Sequence, residues 1–190
     1  MTELPSEVPN EPDAVRQFAK EACDFADNKL CESYESTFGL SVDALISDPK
    51  LLEKFMDHDD PRLRAVAVSF ASRYYHALSD RLGHFTELCI QLASAESHKG
   101  LRHAAIVAMG SIYPRTLDKA ILANLARLAL DPHVEEFFRN QAYLAFNAAV
   151  GMDSRVPGAF DAYLNAREVL DRGMTNRERN YIRTALRNLF

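Results

Sequence analysis

The chain has 190 residues, 47% of them hydrophobic and 26% charged, with only 7 glycines and 8 prolines. That is the profile of an ordinary globular protein with one sizeable core, and it excludes a fibrous or wholly disordered chain. The net charge of −5 divides unevenly: residues 1–60 hold 15 acidic and 5 basic side chains, residues 61–190 hold 12 acidic and 17 basic. Two surfaces of opposite sign are expected.

The first dozen residues are acidic and interrupted by prolines, and read as a disordered tail over 1–12. They have no basic and apolar leader pattern, and no run in the chain approaches the roughly 18 apolar residues a membrane span needs. The expected location is the cytoplasm. Residues 13–36 predict one helix, with Val15, Phe18, Ala22, Ala26, Leu30 and Tyr34 on a single face. Its acidic outer face suits a cap on whatever core follows. Cys23 and Cys31 lie eight apart on that helix, about 12 Å along its axis. A disulfide needs Cα atoms within about 7 Å, so both, like Cys89, read as reduced packing residues.

From Leu63 onward the same helix is written four times. Apolar residues follow Leu63 at Val66, Ala67, Phe70, Ala71 and Tyr74. The same offsets from Leu101 give Ala104, Ala105, Ala108, Met109 and Ile112. Phe138 is followed by Ala142, Ala145, Phe146 and Ala149, with Gln141 the one polar departure. Ile182 is followed by Ala185, Leu186, Leu189 and Phe190. Ahead of each lies a second apolar helix: Leu51 to Met56, Leu82 to Leu92, Leu117 to Leu128, and one around Phe160, Tyr163 and Leu164. Asp60-Pro61 and Asp131-Pro132 read as helix starts, because Asp caps the first-turn N–H groups and Pro suits the first helical position.

A helix–turn–helix unit repeated at about 40 residues is the period of HEAT and armadillo arrays. Asp59-Asp60-Pro61-Arg62-Leu63-Arg64-Ala65-Val66-Ala67 and Leu101-Arg102-His103-Ala104-Ala105 resemble the turn and second helix of a HEAT-like repeat. The resemblance implies an all-α fold: a right-handed α-solenoid of about four helix pairs, at 48–78, 79–114, 115–150 and 156–190. The cap helix at 13–36 would complete a single domain spanning 13–190. It also implies an inter-repeat ladder in which Arg64, Arg102, Arg139 and Arg183 pair with turn aspartates such as Asp60 and Asp131.

Catalytic patterns are missing from the sequence. The six histidines form no i, i+4 pair, no CxxC or HExxH occurs, and no glycine-rich phosphate loop is present. His58-Asp59-Asp60 reads as turn chemistry. HEAT-like DNA glycosylases resemble this architecture but use a tryptophan-lined cleft, and this chain has no tryptophan. No enzyme activity, cofactor or metal is therefore expected.

The expected function is binding of a protein partner on a concave face lined by the second helices, as an adaptor or an inhibitor of the immunity-protein type. Binding residues expected there are Arg73, Tyr75 and His76, then Lys99 and His103. Asn140, Tyr143 and Asn147 are read as equivalent outward positions on the third repeat, and Arg179 and Arg187 as part of a basic stripe with Arg183. Tyr and Arg are enriched in interface hot spots. The alternative is nucleic-acid binding through the basic 61–190 surface. A third option is a homodimer covering the apolar edge at Leu189-Phe190.

Overall fold

The computed structural model describes residues 33–78, 84–151 and 155–190. The tail expected at 1–12 and the capping helix up to residue 32, with Cys23 and Cys31, lie outside the described residues. The described part is all-α, with no strand. The chain divides into two compact units, Met1–Asp48 and Pro49–Phe190.

In the first unit a helical run at 33–38 stacks Tyr34 on Phe38, one turn apart, with ring centres 6.3 Å from each other. Gly39 ends the run at φ +65°, a conformation open to a residue without Cβ. Helix α1 (Val42–Ser47) follows, its first turn capped by the Ser41 hydroxyl.

The second unit begins with α2 (Pro49–Met56), α3 (Pro61–Arg73) and the single turn α4 (Tyr75–Leu78). It continues with α5 (Phe85–Ala95), α6 (Lys99–Thr116), α7 (Lys119–Leu130) and α8 (Glu136–Val150). The short α9 (Ala159–Asn165) and α10 (Glu168–Arg172) precede α11 (Asn176–Leu189). The four repeated patterns are thus α3, α6, α8 and α11. Ala67, Phe70, Met109, Ile112, Phe146 and Ile182, all on the expected faces, are fully buried.

Packing follows the pairs. Helix α2 lies on α3, α5 on α6, and α7 on α8, while α3, α6 and α8 pack side by side and α5 packs on α7. The α6–α8 contact is close enough that a Cβ on Gly110 would sit 2.8 Å from the Ala145 carbonyl oxygen. Only glycine fits there. The last segment departs from this order. Its leading half is broken into α9 and α10, which pack on α8, whereas α11 packs along α7. Tyr181 still reaches α8, edge-on to Phe146 at 6.5 Å. Phe190, expected on the apolar face, is more than half exposed and lies under the Lys119 ammonium.

Helix starts obey local chemistry with one correction. The Asp60 carboxylate caps α3 with Pro61 in the first turn, as expected. Hydrogen bonds from Arg62 hold that carboxyl at about 2, well below its usual value. Asp131 does not open α8. It ends α7, its carboxylate turning back the His133 N–H at 2.8 Å, and α8 starts at Glu136. His58 takes part in turn chemistry, its Nδ1 accepting from the Asp60 N–H. Cys89 is fully buried and its thiol is pushed up by that burial, which keeps it protonated and inert.

Candidate functional site

On the outward side of α6, Lys99, His103, Val107 and Ser111 recur every four residues and so form one stripe. Helix α8 sets Gln141, Leu144 and Ala148 beside it, and α9 contributes Tyr163 and Leu164 at one end. Between them runs a mostly apolar groove of about 400 Å³, with the Arg167 side chain on its lining. The close approach at Gly110 and Ala145 brings the two long helices together beneath it, and Tyr163 packs against Gly151, where a Cβ would meet its ring at about 3.2 Å. Val107 is 45% exposed and Leu164 59%. Large apolar side chains gathered around one opening are a recognised mark of a binding surface.

Beyond the groove, the surface of α6 and α8 turns polar. His103 Nε2 lies 3.2 Å from Gln141 Oε1, within hydrogen-bond distance. The His103 ring also rests 5.7 Å from Phe137, itself exposed, and Lys99 bridges to Glu135 at 2.8 Å. The surface beside the groove on α6 and α8 is therefore hydrogen-bonded and charged, while the groove itself is mostly apolar. A contrast of this kind orients a peptide or helix laid along it.

Of the residues expected to bind, Lys99 and His103 sit on this stripe. Arg73 and His76 are exposed around the end of α3 and on α4, and Tyr75 is half-buried with its ring 6.1 Å from Phe85. Arg187 is exposed and Arg179 half-buried on α11. Neither these five nor Lys99 and His103 line the groove. Asn140, Tyr143 and Asn147 are corrected outright: they are buried, Tyr143 to 3% and Asn147 to 0% exposure. Helix α8 has neighbours on several sides, because α9 and α10 fold onto it in addition to α6 and α7. A two-helix repeat pattern leaves that face open, and here it is covered.

The arginine ladder also changes partners. Asp60 pairs with Arg62, two residues away, and Arg64 reaches Glu96 in the next helix pair at 3.6 Å. Glu96 is held low, first by the His98 backbone N–H it accepts and further by Arg64. Arg102 donates to the Ala93 carbonyl and lays its guanidinium over the Phe138 ring at 4.4 Å. Arg139 donates to the Pro132 and Val134 carbonyls, and Arg183 to Asn180. The first two still tie one pair to the next. They do so through a glutamate and a ring, because Asp60 and Asp131 are consumed by their own turns.

Sequence reasoning misses Val107, Leu144 and Gln141 as site residues, though a signal is present. Val107 stands six residues after Leu101 and Leu144 six after Phe138, an offset outside the core pattern. The equivalent positions in the outer copies are Ser69 and Asn188. Apolar residues off the core face, in the middle copies alone, mark the groove.

Among the described residues, no cluster of three or more His, Cys, Asp or Glu could hold a metal ion. No described helix is long and apolar enough to cross a membrane. No family model matches the chain, and neither does any curated protein or solved structure.

Proposed function

We propose that residues 49–190 form an array of HEAT-like helix pairs that binds a partner protein, as an adaptor or inhibitor rather than as an enzyme. The single observation that carries this reading is the groove on α6, α8 and α9. It presents exposed apolar groups on a floor of two long helices that Gly110 brings into close contact. Long helices packed this closely keep their shape, so a ligand would meet a preformed surface at low ordering cost. Apolar side chains of the partner would fill the groove between Val107 and Leu164, and Gln141 on its lining would take a polar group. The recurring arginines support protein over nucleic acid, because Arg64, Arg102 and Arg139 spend their guanidinium groups on internal partners. They do not form an outward row for phosphates.

The test is affinity capture from nuclease-treated lysate of the source cells, comparing the native chain with the double variant Val107→Asp, Leu164→Asp. Both side chains are exposed, so the variant should keep its helical circular dichroism. The expected result is one protein retained by the native chain and lost by the variant. Retention of the same protein by both would remove the groove from the account. Capture that disappears with nuclease treatment and falls steeply with salt would replace protein with nucleic acid.

A further inference from the structure

The opposite face of α9 borders a second opening. Asp161, Ala162 and Asn165 share that face by their three- and four-residue spacing, while Tyr163 and Leu164 turn to the groove. The cleft they line encloses about 450 Å³ and is completed by α10, by Arg177 and Tyr181 of α11, and by Tyr143 of α8. That volume lies in the range of small-molecule sites.

Its charged groups are of two kinds. Arg172 pairs with Glu178 at 2.8 Å and with Glu168 at 3.9 Å, and Glu178 also accepts the Thr175 backbone N–H and hydroxyl. The Arg177 guanidinium and the Asp161 carboxylate, both solvent-exposed, by contrast have no side-chain hydrogen bond or ion pair among the described residues. Two unpaired charges of opposite sign thus line one cavity without neutralising each other. Tyr143 adds an almost fully buried phenol that feels the charge of Arg177. Tyr181 lines the cleft too, and its hydroxyl, closed to solvent, has no hydrogen-bond partner. Buried polar groups are rarely left so, and such an orphan asks for an explanation. Burial holds both phenols protonated, Tyr181 to about 12, so each is a donor at any physiological pH.

We propose that this cleft binds a free α-amino acid, its carboxylate against Arg177 beside the Tyr143 hydroxyl and its ammonium against Asp161. A simple anion would meet Arg177 but leave Asp161 and Glu168 facing it with the same sign. A simple cation would satisfy Asp161 and strand Arg177. A small molecule carrying both charges would pair with both groups at once. Binding here would also fix the wall that α9 shares with the groove, although the assignment rests on the cleft alone and stands whether or not the groove binds protein.

The experiment is a thermal-shift screen of the whole chain against each standard L-amino acid. Calorimetric titration of the tightest binder would follow, beside its des-amino and its decarboxylated counterparts. The amino acid is expected to bind at least about tenfold more tightly than either counterpart. Arg177→Gln and Asp161→Asn, both exposed and outside the core, are each expected to weaken it by about tenfold while leaving the circular dichroism unchanged. Equal binding of the des-amino acid or the amine would overturn the proposal, as would no binding by any amino acid or undiminished affinity in the two variants.

Discussion

Helices α5 to α8 and helices α9 to α11 each cover the flank of a neighbour, but they do it with different materials. The first group is joined by apolar burial: Phe85, Cys89, Met109, Ile121 and Phe146 are removed from water, and the polar ties between these helices, such as His103 to Gln141, are few. In the second group α9 and α10 are short and broken, and only α11 is a full helix with a buried apolar face. The group's anchor is the Arg172–Glu178–Thr175 network, which closes the start of α11 with a reciprocal capping box. Regular helix pairs therefore need no particular chemistry beyond their apolar faces. An end segment that leaves the pattern needs specific hydrogen bonds to hold it, and it leaves clefts behind.

Three substitutions probe this contrast. The largest effect is expected from Phe146→Ala, which removes a fully buried ring that also meets Tyr181; a loss of about 3–5 kcal/mol in urea unfolding is expected. A loss below about 1 kcal/mol would show that apolar burial does not dominate the regular half. Gly110→Ala comes next, because the new methyl would overlap the Ala145 backbone and push α6 from α8. It should cost about 1–3 kcal/mol, and an unchanged unfolding midpoint would mean the two helices are not locked together.

The smallest is Glu178→Gln, about 1 kcal/mol at neutral pH, given that Arg172 is partly exposed. Its pH dependence is the more specific readout. Burial acts to raise the Glu178 carboxyl, but hydrogen bonds from Arg172 and Thr175 outweigh it and hold the group at about 2 against a usual 4.5. A depressed carboxyl stabilises the fold above its unfolded value and loses that contribution as pH falls toward its folded one. The gap between native and variant should therefore shrink between about pH 5 and pH 2. A constant gap across that window would detach the network from the stability of the terminal segment.

The same contrast governs what is legible in the sequence. The repeated offsets from Leu63, Leu101, Phe138 and Ile182 locate α3, α6, α8 and α11, because a buried helix face must recur every three to four residues. The Asp60 cap is equally legible, being a local interaction. Asp131 is ambiguous because its residue types suit a turn as well as a cap, and the choice depends on where α8 is held. Asn140, Tyr143 and Asn147 read as outward because nothing local shows that α9 and α10 fold back on α8. The groove is hardly visible: Lys99 and His103, which stand out by their chemistry, lie on the same stripe of α6 but outside its lining, while Val107 and Leu144 are apolar residues one would assign to a core.

Whether a partner occupies the groove is decided by site-specific photo-crosslinking in the source cells, with a benzoylphenylalanine placed at position 107. The control is the same group at position 123, an exposed alanine on α7 that does not line the groove. The account predicts a discrete protein adduct from position 107 and none from position 123. Adducts of the same protein at both positions, or none at either, would contradict the groove as the place where a partner binds.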